Sequence, residues 1–309
     1  MRYAFVQTLI EQARHDDRIV LVTGDLGFTV FEKFQENYPK RFINIGVAEG
    51  NMMGFATGLA LTGKIVFCYS IATFATMRPF EQIRNCVAAH NASVIIVGSG
   101  AGLSYGHASY THFGVEDIGL MRLIPGMTIY CPADPMEVRW ATRDAIARAK
   151  PAYLRLGMKG EQALYDRPSF GVGKGTMLKK GNDIVIIAVG NILANVIQAA
   201  KLLEGDGIDA SVIGMHTVKP IDTKLIRDLS NTYPLIITVE EHSLIGGLGS
   251  TVSDVLAESG STTRLCRIGI PDEFIRTIGS QIYLREKLGL SPEGIARTVT
   301  KQYRTLVKI

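Results

Sequence analysis

The sequence predicts an α/β protein built as two doubly wound domains, each around a mainly parallel sheet. Three observations predict it. Short runs rich in Val, Ile and Leu alternate with helical patterns along almost the whole chain, the mark of layered α/β architecture. Those runs are nearly continuous in apolar character, as strands covered on both faces are. The alternation lapses once, in residues 158–181, "MKGEQALYDRPSFGVGKGTMLKKG", and then restarts. The expected organisation is a first domain over 1–165, a linker over 166–182 holding at most one hairpin, and a second domain over 183–309.

The elements follow in order. Residues 1–17, "MRYAFVQTLIEQARHDD", read as an amphipathic helix whose Glu and Asp set it apart from a secretory leader. Strands are expected at 19–23, 42–47, 64–69, 93–98, 127–131 and 152–156, each short and apolar. Between them, helices are expected at 51–61, 79–90 and 135–149. Past the linker come strand 183–189, helix 192–203, strand 209–215, helix 223–230, strand 235–239, helix 250–258 and strand 263–268. In sheets of this kind ligands gather outside the carboxyl ends of the strands. Glu49 lies just past one such end.

Composition bounds the function. The chain has 309 residues, 47% hydrophobic, enough for sizeable cores. Lys and Arg number 33 against 29 Asp and Glu, and the net charge of +4 is spread along the chain. No basic block stands out beyond Lys179–Lys180 and the C-terminal tail, so nucleic acid is not indicated. No apolar run approaches bilayer-spanning length. Cys68, Cys86, Cys131 and Cys266 form no metal-ligand spacing and read as buried free thiols of a reducing compartment. The expectation is a soluble, cytoplasmic protein with no metal site and no membrane contact.

Glu49 is the first candidate. It is a lone carboxylate in "RFINIGVAEGNMMGFATGLALTG", where Val47, Ala48, Met52, Met53 and Phe55 predict burial. An acidic residue in a helix's first turn interacts favourably with the helix dipole, which is the ordinary explanation. A buried, unpaired carboxylate has a raised pKa and suits proton chemistry, which is the functional one. Three further stretches look chemical. The loop "GSGAGLSYGHASYTHFGVEDIGLMR" (98–122) carries Tyr105, His107, Tyr110 and His112 after a strand, where function concentrates. "VEEHSLIGGLGS" (239–250) reads either as an anion-binding helix start or as a tight turn with solvated charges. "YSIATFATMRPFEQIR" (69–84) reads as core aromatics, Phe74 and Phe80, beside helix-surface arginines, Arg78 and Arg84. By contrast, "GDG" at 205–207 is a decoy for a diphosphate–metal motif. The helix "VIQAAKLLE" runs straight into it, so its glycines read as a C-cap and turn.

Taken in order, "IGVAEGNMMGFATGLAL", "TFATMRPFEQIR", "GLSYGHASYTHFGVEDIGLMR", "CPADPMEV", "PAYLRLG" and "VEEHSLIGGLGS" resemble the pyrimidine-binding and C-terminal domains of transketolase. The likeness is closest to the C-terminal subunits of split transketolases and covers nearly the whole chain. The resemblance implies thiamine diphosphate as cofactor. Glu49 would hydrogen-bond N1′ of its aminopyrimidine and so favour the tautomer that deprotonates the thiazolium carbon. Phe74 would stack on that ring, with Phe80 an easily confused alternative, and Asp25 would line the cofactor pocket. His112 would lie near the reacting carbon as a proton shuttle or oxyanion donor. His107, His112 and Lys159 are the candidates for substrate contact.

The departures from the family pattern matter as much. The aspartate that reads a substrate hydroxyl corresponds to Ala108, a phosphate-binding histidine to about Gly100, and an arginine to Met158. An atypical donor or acceptor is expected. A GDG…NN segment is also missing, so the diphosphate and Mg2+ are expected on a separate N-terminal subunit, in an α2β2 assembly around a dimer of these chains. The activity implied is transfer of a two-carbon ketol unit from a ketose-type donor to an aldehyde. The alternatives are a decarboxylating transferase like 1-deoxyxylulose-5-phosphate synthase, and a non-catalytic scaffold subunit.

Overall fold

A computed structural model describes residues 1–158, 160–165 and 170–307. Six strands make up most of the first sheet: β1 (Ile19–Thr23), β2 (Phe42–Asn44), β3 (Ile65–Ile71), β4 (Val94–Ser99), β5 (Thr128–Tyr130) and β6 (Ala152–Leu156). Then come β7 (Thr176–Lys179), β8 (Ile184–Val189), β9 (Ala210–Gly214), β10 (Thr217–Lys219), β11 (Leu235–Ser243) and β12 (Arg264–Ile270). The sheet orders are β10-β5-β6-β4-β3-β1-β2 and β12-β11-β8-β9-β7. Every pairing is parallel except β10 with β5 and β7 with β9, each at a sheet edge. Two α/β layers around mainly parallel sheets are as the sequence predicts.

Burial explains the continuous apolar runs. Every residue of β1, β3, β4, β6 and β8 is buried. One face of the first sheet is covered by the helices Arg2–Ala13 and Pro135–Arg148, through Phe5, Leu9, Val138 and Ala141. On the other face Met52, Met53, Ile83 and Ile118 join an apolar cluster that continues into the second sheet through Val185, Ile187 and Ile236.

Five details differ from the sequence expectations. The stretch read as linker contains β7, which pairs with β9 and not with a hairpin partner. β10, from the second half of the chain, completes the first sheet. The strand expected over 42–47 stops at Asn44, because Gly46 turns the chain at φ +75° and leaves Val47 67% exposed. Phe55 is likewise exposed while Met52 and Met53 are buried. The helix expected over 79–90 forms as Phe80–Gln82 running into a π-turn, Ile83–Ala88. Helix Leu193–Gly205 does end at the GDG, with Asp206 as its C-cap and Gly207 at φ +75°. Among the described residues no helix is long and apolar enough to cross a membrane.

Candidate active site

Strand order places the site. From β1 the chain moves outward to β2, then returns to β3 on the other side of β1. The strand order therefore reverses between the carboxyl ends of β1 and β3, the usual ligand position in such sheets. Gly24 and Asp25 directly follow β1, and Ser70 lies near the carboxyl end of β3. The β2–β3 connection supplies Glu49 as the first residue of helix Glu49–Leu61. A Cβ on Gly24 would sit 3.6 Å from Ser70 Oγ and 3.7 Å from Glu49 Oε1, so the three converge.

Glu49 is 2% exposed, but it is not unpaired, contrary to the sequence expectation. Oε1 accepts from Ser70 Oγ and Oε2 from Arg78 Nη1, both at 2.9 Å. A desolvated carboxylate is costly without a partner, and the guanidinium supplies one. Arg78 follows the helix Ala72–Met77, four residues after Phe74, which puts both side chains on one helical face. Its Cζ lies 3.8 Å over the Phe74 ring. Phe74 is therefore the aromatic at the carboxylate, whereas Phe80 packs against the core cluster.

The other wall comes from the loop after β4. The His112 ring meets Phe74 edge-on at 5.0 Å between centroids, and Tyr105 lies 6.0 Å from His112. His112 Nδ1 is 2.9 Å from Thr111 Oγ1. Gly100 has φ +78°, and a Cβ there would fall 2.0 Å from the Tyr105 ring. The Tyr105 ring thus fills the space into which a side chain at position 100 would project. Asp25 is bound to Asn44 at 3.0 Å in both directions and sits at φ +58°, uncommon for a non-glycine residue. His107 is exposed in the turn Gly106–Ala108, and among the described residues no hydrogen bond or ring contact joins it to this cluster. Lys159 lies outside the described residues. Among the described residues no group of three or more His, Cys, Asp or Glu could hold a metal.

"VEEHS" is not a turn with solvated charges. Glu240, Glu241 and His242 lie within β11 and are buried. The start of helix Leu248–Glu258 does bind an anion, but that anion is Glu240, which accepts from Leu248 N at 2.7 Å and Gly249 N at 2.8 Å. Burial nonetheless pushes its carboxyl up to about 7. Glu241 reaches the first domain, where Oε1 accepts from Leu103 N at 2.6 Å, and Arg285 pairs with its Oε2. Burial drives the His242 imidazole down to about 4.

Residues 1–159 match the family "Transketolase, pyrimidine binding domain", and residues 173–295 match "Transketolase, C-terminal domain". The chain belongs to the transketolase family. It is 38% identical over 308 residues to a putative transketolase C-terminal section of Methanocaldococcus jannaschii, covering 98% of this chain and 96% of that one. A 6-deoxy-6-sulfo-D-fructose transketolase subunit of Clostridium sp. is 38% identical, with 96% of this chain and 92% of the relative covered. A solved structure, described as a split gene transketolase in an inactive beta4 tetramer, superposes with TM-score 0.87 at 36% identity. That match covers 97% of this chain and 96% of the other.

Family membership implies thiamine diphosphate, and the residues fit its pyrimidine half. Glu49's carboxylate and Phe74's ring are so placed that one planar group, now Arg78's guanidinium, stacks on the ring while donating to the carboxylate. The sequence pointed to Glu49, Phe74 and His112 in this cluster and missed Ser70 and the role of Arg78. The signal for Arg78 was its helical spacing from Phe74.

Proposed function

We infer that this chain is the pyrimidine-binding subunit of a two-subunit transketolase-type enzyme. It transfers a two-carbon ketol unit from a ketose-type donor to an aldehyde acceptor. The observation that carries this reading is the Glu49 carboxylate held beside the Phe74 ring, both engaged by Arg78, at the carboxyl ends of β1 and β3.

When bound, thiamine diphosphate supplies a carbon nucleophile that no side chain offers. Glu49 holds a proton at the pyrimidine nitrogen N1′, and Ser70 fixes the carboxylate's orientation through Oε1. Phe74 gives the ring a flat apolar wall, and Asp25, just past β1, is assigned to the cofactor side. His112, next to Phe74, is placed to hold or move a proton on the substrate side. The diphosphate and Mg2+ are assigned to a separate N-terminal subunit in an α2β2 assembly. The naming of the Clostridium relative as a subunit supports that assignment. The same relative's named ketose carries a sulfonate at carbon 6, which supports a ketose-type donor here. The Tyr105 ring over Gly100 narrows the choice of substrate on that side.

Glu49→Gln keeps the shape and removes the carboxylate. In the complex with the co-purified partner, ketol transfer should fall by about a hundredfold or more while assembly persists. Wild-type turnover by an assembled Glu49→Gln complex would overturn the reading.

A further inference from the structure

One guanidinium engages both groups that a bound aminopyrimidine needs. Arg78 Nη1 donates to Glu49 Oε2 at 2.9 Å, and Arg78 Cζ lies 3.8 Å over the Phe74 ring. A guanidinium and an N1′-protonated aminopyrimidine share a recognition chemistry. Both are flat, cationic and edged by N–H donors, so either can stack on an aromatic face while donating to a carboxylate. The geometry also shows which way Glu49 is approached. Its other partner, Ser70, is fully buried, whereas the Arg78 side chain is 45% exposed. The solvent side of the carboxylate is Arg78's side, and a ligand arriving from solvent meets the guanidinium first.

We propose that Arg78 is an internal stand-in for the cofactor's pyrimidine. In the cofactor-free chain it occupies the place between Glu49 and Phe74, and it swings out when the aminopyrimidine docks. The proposal rests on the reading above, that this chain binds thiamine diphosphate. Two further points support it. A carboxylate this buried needs a charged partner whenever no ligand supplies one, because removing one member of a buried pair strands the other. Among the described residues the Arg78 guanidinium makes no other hydrogen bond, so only that pair and the Phe74 stack anchor it. A long, half-solvated side chain held by one ion pair and one stack can exchange without rearranging the fold. Docking is then an exchange of one flat cation for another, and Glu49 is paired before and after.

The test uses the complex of this chain with its co-purified partner, as wild type and as Arg78→Met. Thiamine diphosphate with Mg2+ is titrated by calorimetry, and near-UV circular dichroism reports ring docking. Melting temperatures are taken with and without the cofactor. Relieved of the competing pair and stack, Arg78→Met should bind about tenfold more tightly and associate faster. Its cofactor-free melting temperature should fall, and its rise on adding cofactor should exceed that of wild type. A merely structural arginine would lower stability and affinity together. Binding by wild type with equal or weaker binding by Arg78→Met overturns the stand-in alone and makes Arg78 a prop for Glu49. Should Arg78→Met not assemble, Arg78→Gln, which keeps an N–H donor without the charge, should show the same direction with a smaller gain. No binding by wild type or by either variant overturns both the stand-in and the functional reading.

Discussion

Glu137 sits fully buried in the first turn of helix Pro135–Arg148. Its Oε2 accepts from Ala133 N at 2.5 Å, and the Tyr165 hydroxyl donates to Oε1. Burial pushes the carboxyl from 4.5 up to about 8. The folded chain therefore holds this proton more tightly than the unfolded chain does. The resulting stabilisation is full below pH 4.5 and is lost as pH rises through about 8. A shift of that size is worth on the order of a few kcal/mol. Glu137→Gln should melt with a flatter pH profile and gain on wild type between pH 5 and pH 9, read as melting temperature at each pH. At this scale the sequence was legible where one residue contradicts its surroundings. Glu49 stood out as a lone carboxylate beside Met52 and Met53, although Val47 and Phe55, read with them as buried, are exposed. Its pairing was not legible, because Arg78 reaches it only once the β2–β3 connection and the helix Ala72–Met77 meet across β3. His107 showed the opposite failure: a histidine in the right loop can still point to solvent.

Glu240 is the N-terminal anchor of helix Leu248–Glu258, from a residue eight positions back on β11. Its two oxygens take the first backbone N–H groups of a helix that has no side-chain cap of its own. Glu240→Ala should destabilise the chain by about 1–3 kcal/mol, since it leaves two buried N–H groups without acceptors. Faster hydrogen exchange at Leu248 and Gly249 should accompany the lower melting temperature, and unchanged protection there would refute the assignment. Central strands were readable from the sequence because burial on both faces writes itself as an unbroken apolar run. Edge strands were not. β7 and β10 are short, partly exposed and joined to their sheets by antiparallel pairing, so tertiary position decides them and local pattern does not.

A buried arginine of the first sheet, itself ion-paired, reaches across the seam between the two sheets. Arg155 Nε donates to Asp117 Oδ2 at 2.8 Å, and its Nη2 donates to the carbonyls of Gly114 and Glu241, one from each half of the chain. Burial alone would raise Asp117, but Arg155, His242 and Tyr153 outweigh it and hold the carboxyl below its ordinary value. Arg155→Met strands that carboxylate and should cost roughly 3–5 kcal/mol. Urea unfolding followed by fluorescence of Trp140, on the first-domain helix, and by far-UV circular dichroism should then separate into two transitions. Coincident curves in the variant would show that the seam is not what couples the halves. Two-domain organisation was legible from the lapse in alternation, but the seam was not, because its bonded partners lie as far apart in sequence as Leu103 and Glu241, 138 positions.

β10 has a consequence for inheritance. The match to the C-terminal family begins at residue 173, yet Thr217–Lys219, well inside it, completes the sheet of the other half. A gene fragment cut at that boundary would not release two clean modules. One product would carry an orphan strand, and the other would expose the bare edge of β5, each a template for unwanted pairing. Recombination that respects the family boundary would therefore yield two adhesive fragments. The unit that can be transplanted intact between assemblies is the whole two-sheet chain.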